Sequence, residues 1–95
     1  MELQELRTQI DAIDRQLVEL FIQRMNCSAS VAEYKREHGM QVLDPLRERD
    51  LLKKISALSG EEFDRYTNKL YKTILELSRS YQCQLLGIDS PTEIV

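Results

Sequence analysis

The stretch LQELRTQIDAIDRQLVELFIQRMNCSASVAEYKREH, residues 3–38, decides the fold. Its apolar residues recur at alternating steps of three and four: Leu3, Leu6, Ile10, Ile13, Leu17 and Leu20, then Cys27, Val31 and Tyr34. That spacing is the stripe of an amphipathic α-helix, close to a heptad seam. No proline or glycine interrupts it before Gly39, which suits a left-handed cap for a helix ending near His38. The helix is therefore about 35 residues and on the order of 52 Å long. A compact globule of this chain's length has a radius of gyration of only about 12 Å. One chain cannot enclose such a rod, so the seam predicts a homodimer with the long helices packed together.

The remainder of the chain predicts two further helices. Asp44 and Pro45 read as a helix N-cap and first helical position, opening a short helix that runs to about Leu58 and buries Leu46, Leu51, Leu52, Ile55 and Leu58. Ser59 and Glu62 then have the spacing of a capping box, with Gly60 easing the turn. The third helix extends to about Leu86, with an inner stripe of Phe63, Leu70, Ile74, Leu77, Tyr81 and Leu85, and Gly87 closes it. The expected fold is all-α: one long, one short and one medium-long helix per subunit in an intertwined homodimer. Residues 1–87 form the domain and residues 88–95, IDSPTEIV, a tail or the beginning of a linker.

Composition narrows the function. The 95 residues are 42% hydrophobic and 31% charged with only three Gly, two Pro and no Trp, which is the profile of a soluble helical domain. A net charge of −3 argues against a general binder of nucleic acid or anionic membrane, so any anion site is local. The N-terminus MELQELRTQI has no apolar leader segment, and the cytoplasm is the expected location. Cys27 and Cys83 lack metal-ligand or redox-motif spacing and read as buried reduced thiols; with His38 the single histidine, no zinc cluster is expected.

The informative residues break the apolar pattern. Continuing Leu3, Ile10 and Leu17 by sevens lands on Arg24 before Val31, so a charge stands at a core position and requires a partner. Lys35 follows eleven residues later, about 20° round the helix and roughly 16 Å along it, so both side chains can lean toward one small ligand. Arg7 is about 26 Å from Arg24 along the same rod, out of reach of that ligand within one chain but within reach of a partner's site in an antiparallel dimer. Arg47 sits in the first turn of its helix, where the dipole disfavours a cation. Glu48 follows it, and Ser78 and Gln82 share a face beside the core on the third helix.

Each residue also has a plain reading. Arg7 and Lys35 suit solvent, Arg24 an ion pair with Glu19 or Glu33 across a dimer, and Arg47 a local bridge to Asp44 or Asp50. Glu48 suits a helix N-terminus, and Ser78 and Gln82 a helix surface. Together they make an anion-binding cavity drawn from three helices. The sequence has no Ser/His/Asp or Cys/His arrangement and no glycine-rich phosphate loop. A reaction in such a cavity must rest on holding a polyanion in a reactive shape and stabilising developing charge.

Four segments in this order, LRTQIDAIDRQLVELFIQR (6–24), VAEYK (31–35), VLDPLRERDLL (42–52) and ILELSRSYQ (74–82), resemble the all-helical chorismate mutases of the AroQ class. The resemblance covers nearly the whole chain. It implies an intertwined homodimer that converts chorismate to prephenate by an intramolecular Claisen rearrangement with no cofactor and no metal. It further implies that Arg7 is supplied across the dimer interface and that Arg24 binds a substrate carboxylate. Lys35 and Gln82 resemble the pair that hydrogen-bonds the ether oxygen, and Glu48 the acid that receives the substrate hydroxyl, with Asp44 beside it. Arg47 and Ser78 match residues around the substrate carboxylates. The alternatives are an isochorismate–pyruvate lyase, which resembles the family in fold, and a catalytically silent helical dimer acting as a regulatory module.

Overall fold

The computed structural model describes residues 1–94 and contains two helices, α1 (Leu3–Glu37) and α2 (Pro45–Leu86). The ends follow from local chemistry. At the end of α1, Gly39 adopts φ 61°, which lets its amide reach the Arg36 carbonyl and the Met40 amide reach the Lys35 carbonyl, a Schellman closure. Gly87, at φ 68°, repeats the arrangement for α2, with Gly87 N–H donating to Gln84 and Ile88 N–H to Cys83. At the start of α2 the Asp44 carboxylate accepts the Arg47 backbone N–H at 3.1 Å, and Pro45 occupies the first turn.

The expected three helices are two in the structure. The short and medium-long helices run on as one element because a single residue, Gly60 at φ 75° and ψ 166°, leaves helical geometry and no loop intervenes. Ser59 does not make the anticipated capping box; its hydroxyl donates back to the Ile55 carbonyl at 2.6 Å and meets the Thr67 hydroxyl. The bend is a reversal. Residues 31 apart on a straight helix are separated by about 46 Å, yet Glu48 and Arg79 form an ion pair at 2.6 Å. The two arms of α2, residues 45–59 and 61–86, thus flank the C-terminal half of α1. Beyond α2 the chain turns back: the Leu43 amide donates to the Pro91 carbonyl at 2.8 Å and Gln41 forms an antiparallel bridge with Ile94. The segment expected as a tail or linker therefore pins the loop between the helices.

Little of the apolar surface is covered. The buried apolar residues among those described are Ala32, Val42 and Leu75. The seam of α1 remains open, with Ile10 54% and Leu17 56% exposed, and so do residues expected to be buried in α2, among them Leu46, Leu58, Phe63, Leu70, Leu77 and Leu85. Cys27, expected to be buried, is exposed, and both cysteines are free. The molecule extends 54 × 26 × 18 Å with a radius of gyration of 16.3 Å, well above the roughly 12 Å of a compact domain of this length. No helix among the described residues is long and apolar enough to cross a membrane.

The reversal identifies a position where substitution acts through the backbone alone. A Cβ at Gly60 meets no heavy atom within 4 Å, but its dihedral angles lie in a region essentially reserved for glycine. Gly60→Ala is expected to lower stability by about 1–3 kcal/mol through strain, as measured by urea unfolding. A neutral or stabilising result means that the two arms do not depend on this conformation.

Candidate active site

The buried centre of the chain is polar. Ser28, Lys35, Ser78 and Gln82 are each more than nine-tenths buried, and all four line one cavity of about 310 Å³. Helix α1 contributes Arg24, Ser28, Val31 and Lys35, whose spacing of four, three and four residues places them on one face. The loop supplies Val42 and Asp44, the first arm of α2 Arg47, Glu48 and Leu51, and the second arm Leu75, Ser78, Arg79 and Gln82. Seven of the eight residues singled out in the sequence therefore meet at this cavity. Arg7 does not; it lies exposed toward the far end of α1.

Lys35 is 8% exposed, and its Nζ donates to the Val42 carbonyl at 2.5 Å. Burial lowers the pKa of its ammonium from the ordinary lysine value, partly opposed by the negative charges of Asp44 and Glu48. An ammonium has three donors, so two remain for a ligand. The Schellman closure that fixes the Lys35 carbonyl and the Asp44 cap that begins α2 lie on either side of Val42, so one short loop positions the lysine's partner and the first turn of α2 together.

The arginines are disposed differently. The Arg24 guanidinium lies 6.0 Å from the centre of the Tyr71 ring, a separation at which the ring face attracts a cation. Arg47 lines the cavity, and its guanidinium has no carboxylate within 4.0 Å among the described residues; the surface ion pair in this turn is Arg49 with Asp50 at 3.5 Å. Arg79 is the paired one. Its Nη1 donates to both carboxylate oxygens of Glu48, at 2.6 and 2.7 Å. With four cations and two carboxylates in its lining, the cavity carries a net +2 in a chain of net −3.

The neutral groups form a relay. The Ser28 and Ser78 hydroxyls are 2.7 Å apart, and Gln82 Nε2 donates to Ser78 Oγ at 3.1 Å, while Gln82 Oε1 is buried without a partner. An unsatisfied buried acceptor costs on the order of 1–3 kcal/mol. A half-turn of the amide lets Ser78 donate to Oε1 and exchanges the unpartnered acceptor for an unpartnered Nε2 donor, which a ligand oxygen can satisfy.

Sequence reasoning missed Ser28 and Arg79. Ser28 had a signal, lying four residues after Arg24 and seven before Lys35 on the same face. Arg79 had a weaker one beside Ser78 and three residues before Gln82, and nothing local linked it to Glu48. That contact exists only because α2 reverses at Gly60.

The sequence that builds this cavity is similar to those of known proteins. The family model for chorismate mutase type II matches residues 6–83. The chorismate mutase of Methanocaldococcus jannaschii is 30% identical over 87 residues, covering 90% of this chain and 88% of that protein. The T-protein of Haemophilus influenzae is 39% identical over 46 residues, covering 48% of this chain, which thereby spans 12% of that longer protein. The 4-amino-4-deoxychorismate mutase of Streptomyces venezuelae is 37% identical over 46 residues, 48% of this chain and 45% of that protein. No solved structure matches significantly. With the match spanning nearly all of α1, the loop and nearly all of α2, the chain belongs to the chorismate mutase type II family.

Proposed function

We propose that this protein is a cytoplasmic, homodimeric chorismate mutase that converts chorismate to prephenate by intramolecular Claisen rearrangement. The observation that carries the reading is a cavity of net +2 built round the buried Lys35 in a chain of this family. The substrate is a dicarboxylate, so its charge complements the cavity. The free thiols suit a reducing compartment.

The reaction breaks the ether C–O bond as a new C–C bond forms, and negative charge grows on the ether oxygen. Lys35 and Gln82 donate to that oxygen, Lys35 with its unused N–H groups and Gln82 through Nε2 once the amide has turned. Donors aimed at charge that develops only in the transition state raise the rate more than the affinity. Arg24 and Arg47, whose guanidinium groups have no carboxylate within 4.0 Å among the described residues, hold the substrate carboxylates with Ser78 nearby. Glu48 accepts the hydroxyl beside Asp44. Arg7 completes the partner's cavity across a dimer formed on the open seam of α1. The rearrangement is intramolecular, so positioning of one bound conformer accounts for much of the remaining catalysis.

Chorismate differs from the 4-amino compound in the name of the Streptomyces venezuelae relative by carrying a neutral hydroxyl where the latter has an amine. The hydroxyl compound is the proposed substrate because it retains the full dianionic charge.

Incubating the purified chain with chorismate is expected to consume it and yield prephenate; pyruvate in its place assigns a lyase, and neither product favours a silent module. The mass in solution at micromolar concentration is expected to be that of a dimer, and a monomer contradicts the composite site. Lys35→Ala is expected to lower kcat by more than about 100-fold, the scale of losing an oxyanion donor, and a loss below about tenfold rejects its role. Gln82→Ala is expected to act mainly on kcat, and Arg24→Ala also on KM.

The lowered Lys35 pKa gives opposite signs for activity and stability. The kcat/KM profile, which reports the free enzyme, is expected to fall as Lys35 loses its proton, with a midpoint below the ordinary 10.5. Between the folded and unfolded pKa values the unfolded chain binds more protons, so this lysine's destabilising contribution is relieved as pH rises. The stability advantage of Lys35→Met over the unsubstituted protein should accordingly shrink toward pH 10.5. An advantage that widens with pH contradicts the assignment of burial as the cause.

A further inference from the structure

Arg79 has no part in the rearrangement as described above, yet it determines the charge presented by Glu48. Its Nη1 lies 2.6 and 2.7 Å from the two Glu48 oxygens, both side chains are about three-quarters buried at 26% and 22% exposure, and both line the cavity. The other acid of the lining, Asp44, already accepts the Arg47 backbone N–H. Neither carboxylate therefore stands free in the cavity. The charged side-chain groups of Arg24, Lys35 and Arg47, by contrast, have no carboxylate within 4.0 Å among the described residues.

We propose that Arg79 is a specificity-determining residue that selects a substrate with a neutral hydroxyl over one with a charged amine at the same position, by pairing with the carboxylate that receives that group. The inference rests on the chorismate mutase reading and deepens it. A carboxylate offers about four lone-pair positions, so Glu48 can bind Arg79 and still accept one O–H. An alkyl amine is protonated near neutral pH. In the Glu48 position it meets a carboxylate whose charge is already matched and a guanidinium of like sign close behind, and like charges in a partly buried site repel strongly. Removing Arg79 lowers the net charge of the lining from +2 to +1 and leaves Glu48 open to an ammonium. The 4-amino substrate, with two carboxylates and an ammonium, carries one negative charge less than chorismate, so both changes favour it.

The test compares kcat/KM for chorismate and for 4-amino-4-deoxychorismate in the unsubstituted protein and in Arg79→Met, Arg79→Gln and Arg79→Lys, with helix content followed by circular dichroism. The unsubstituted protein is expected to prefer chorismate by about tenfold or more, and Arg79→Met to move the ratio toward the amine by about tenfold, chiefly through KM. Arg79→Gln retains a hydrogen bond to Glu48 but no charge, and should repeat the shift even if Arg79→Met folds poorly. Arg79→Lys retains the charge, and since a single nitrogen, Nη1, meets both Glu48 oxygens, an ammonium should hold the ratio within about twofold of the original. A merely structural role lowers both activities together and leaves the ratio where it was. A shift below about threefold in the neutral variants, an equal shift in Arg79→Lys, or an original preference for the amine overturns the proposal. A protein without chorismate activity refutes the underlying reading instead, a distinguishable result.

Discussion

The structure is governed by how little apolar surface one chain can cover. A helix of 35 residues stands beside the two arms of a 42-residue element that reverses at Gly60, and only Ala32, Val42 and Leu75 are buried apolar residues among those described. Burial of apolar area is the main favourable term in folding, and it must offset conformational entropy of similar size. Three such side chains cannot do so. The open stripe from Leu3 to Leu20 is long, regular and on one face, which suits a second copy of the same helix. In the proposed dimer the surface that stabilises the fold also carries Arg7, so assembly and completion of the site become one event.

The buried interior of the single chain is polar, and this reverses the usual relation of core to site. Lys35, Ser28, Ser78 and Gln82 occupy positions that an idealised helical hairpin would fill with leucine or isoleucine. A buried ammonium costs stability, and here the Val42 carbonyl and the nearby acids only partly compensate, as the direction of the Lys35 shift indicates. An environment short of negative charge favours an anionic ligand. The loop that presents the Val42 carbonyl is fixed at one side by the Schellman closure, at the other by the Asp44 cap, and from outside by the Pro91 carbonyl. The lysine is thereby held in place before any ligand arrives, which is how preorganised donors stabilise developing charge.

The sequence was informative where structure is local. The three-and-four spacing from Leu3 predicts α1 almost to its observed end, and Gly39, Asp44, Pro45 and Gly87 mark their boundaries through φ angles and caps that depend on one or two residues. It was less informative where a single residue redirects the chain. Ser59 and Glu62 read as a capping box, whereas the serine hydroxyl bonds backward to Ile55 and the non-helical Gly60 alone reverses the chain between the two arms of α2. Long-range pairings were out of reach for the same reason: Ser28 with Ser78 spans 50 residues and Glu48 with Arg79 spans 31. Arg47 looked anomalous at the positive end of a helix dipole, and its place in the cavity lining gives that cost a purpose in the proposed site.

Each active cavity is proposed to draw on two chains, with Lys35 from one and Arg7 from the other. Mixing Arg7→Ala and Lys35→Ala proteins under conditions of subunit exchange tests it most directly. In a composite arrangement each hybrid dimer has one doubly impaired site and one intact site. Since roughly half of the dimers are hybrids at equal mixing, the mixture should recover about a quarter of the unsubstituted chorismate turnover. Activity no greater than the average of the two parent variants contradicts the claim.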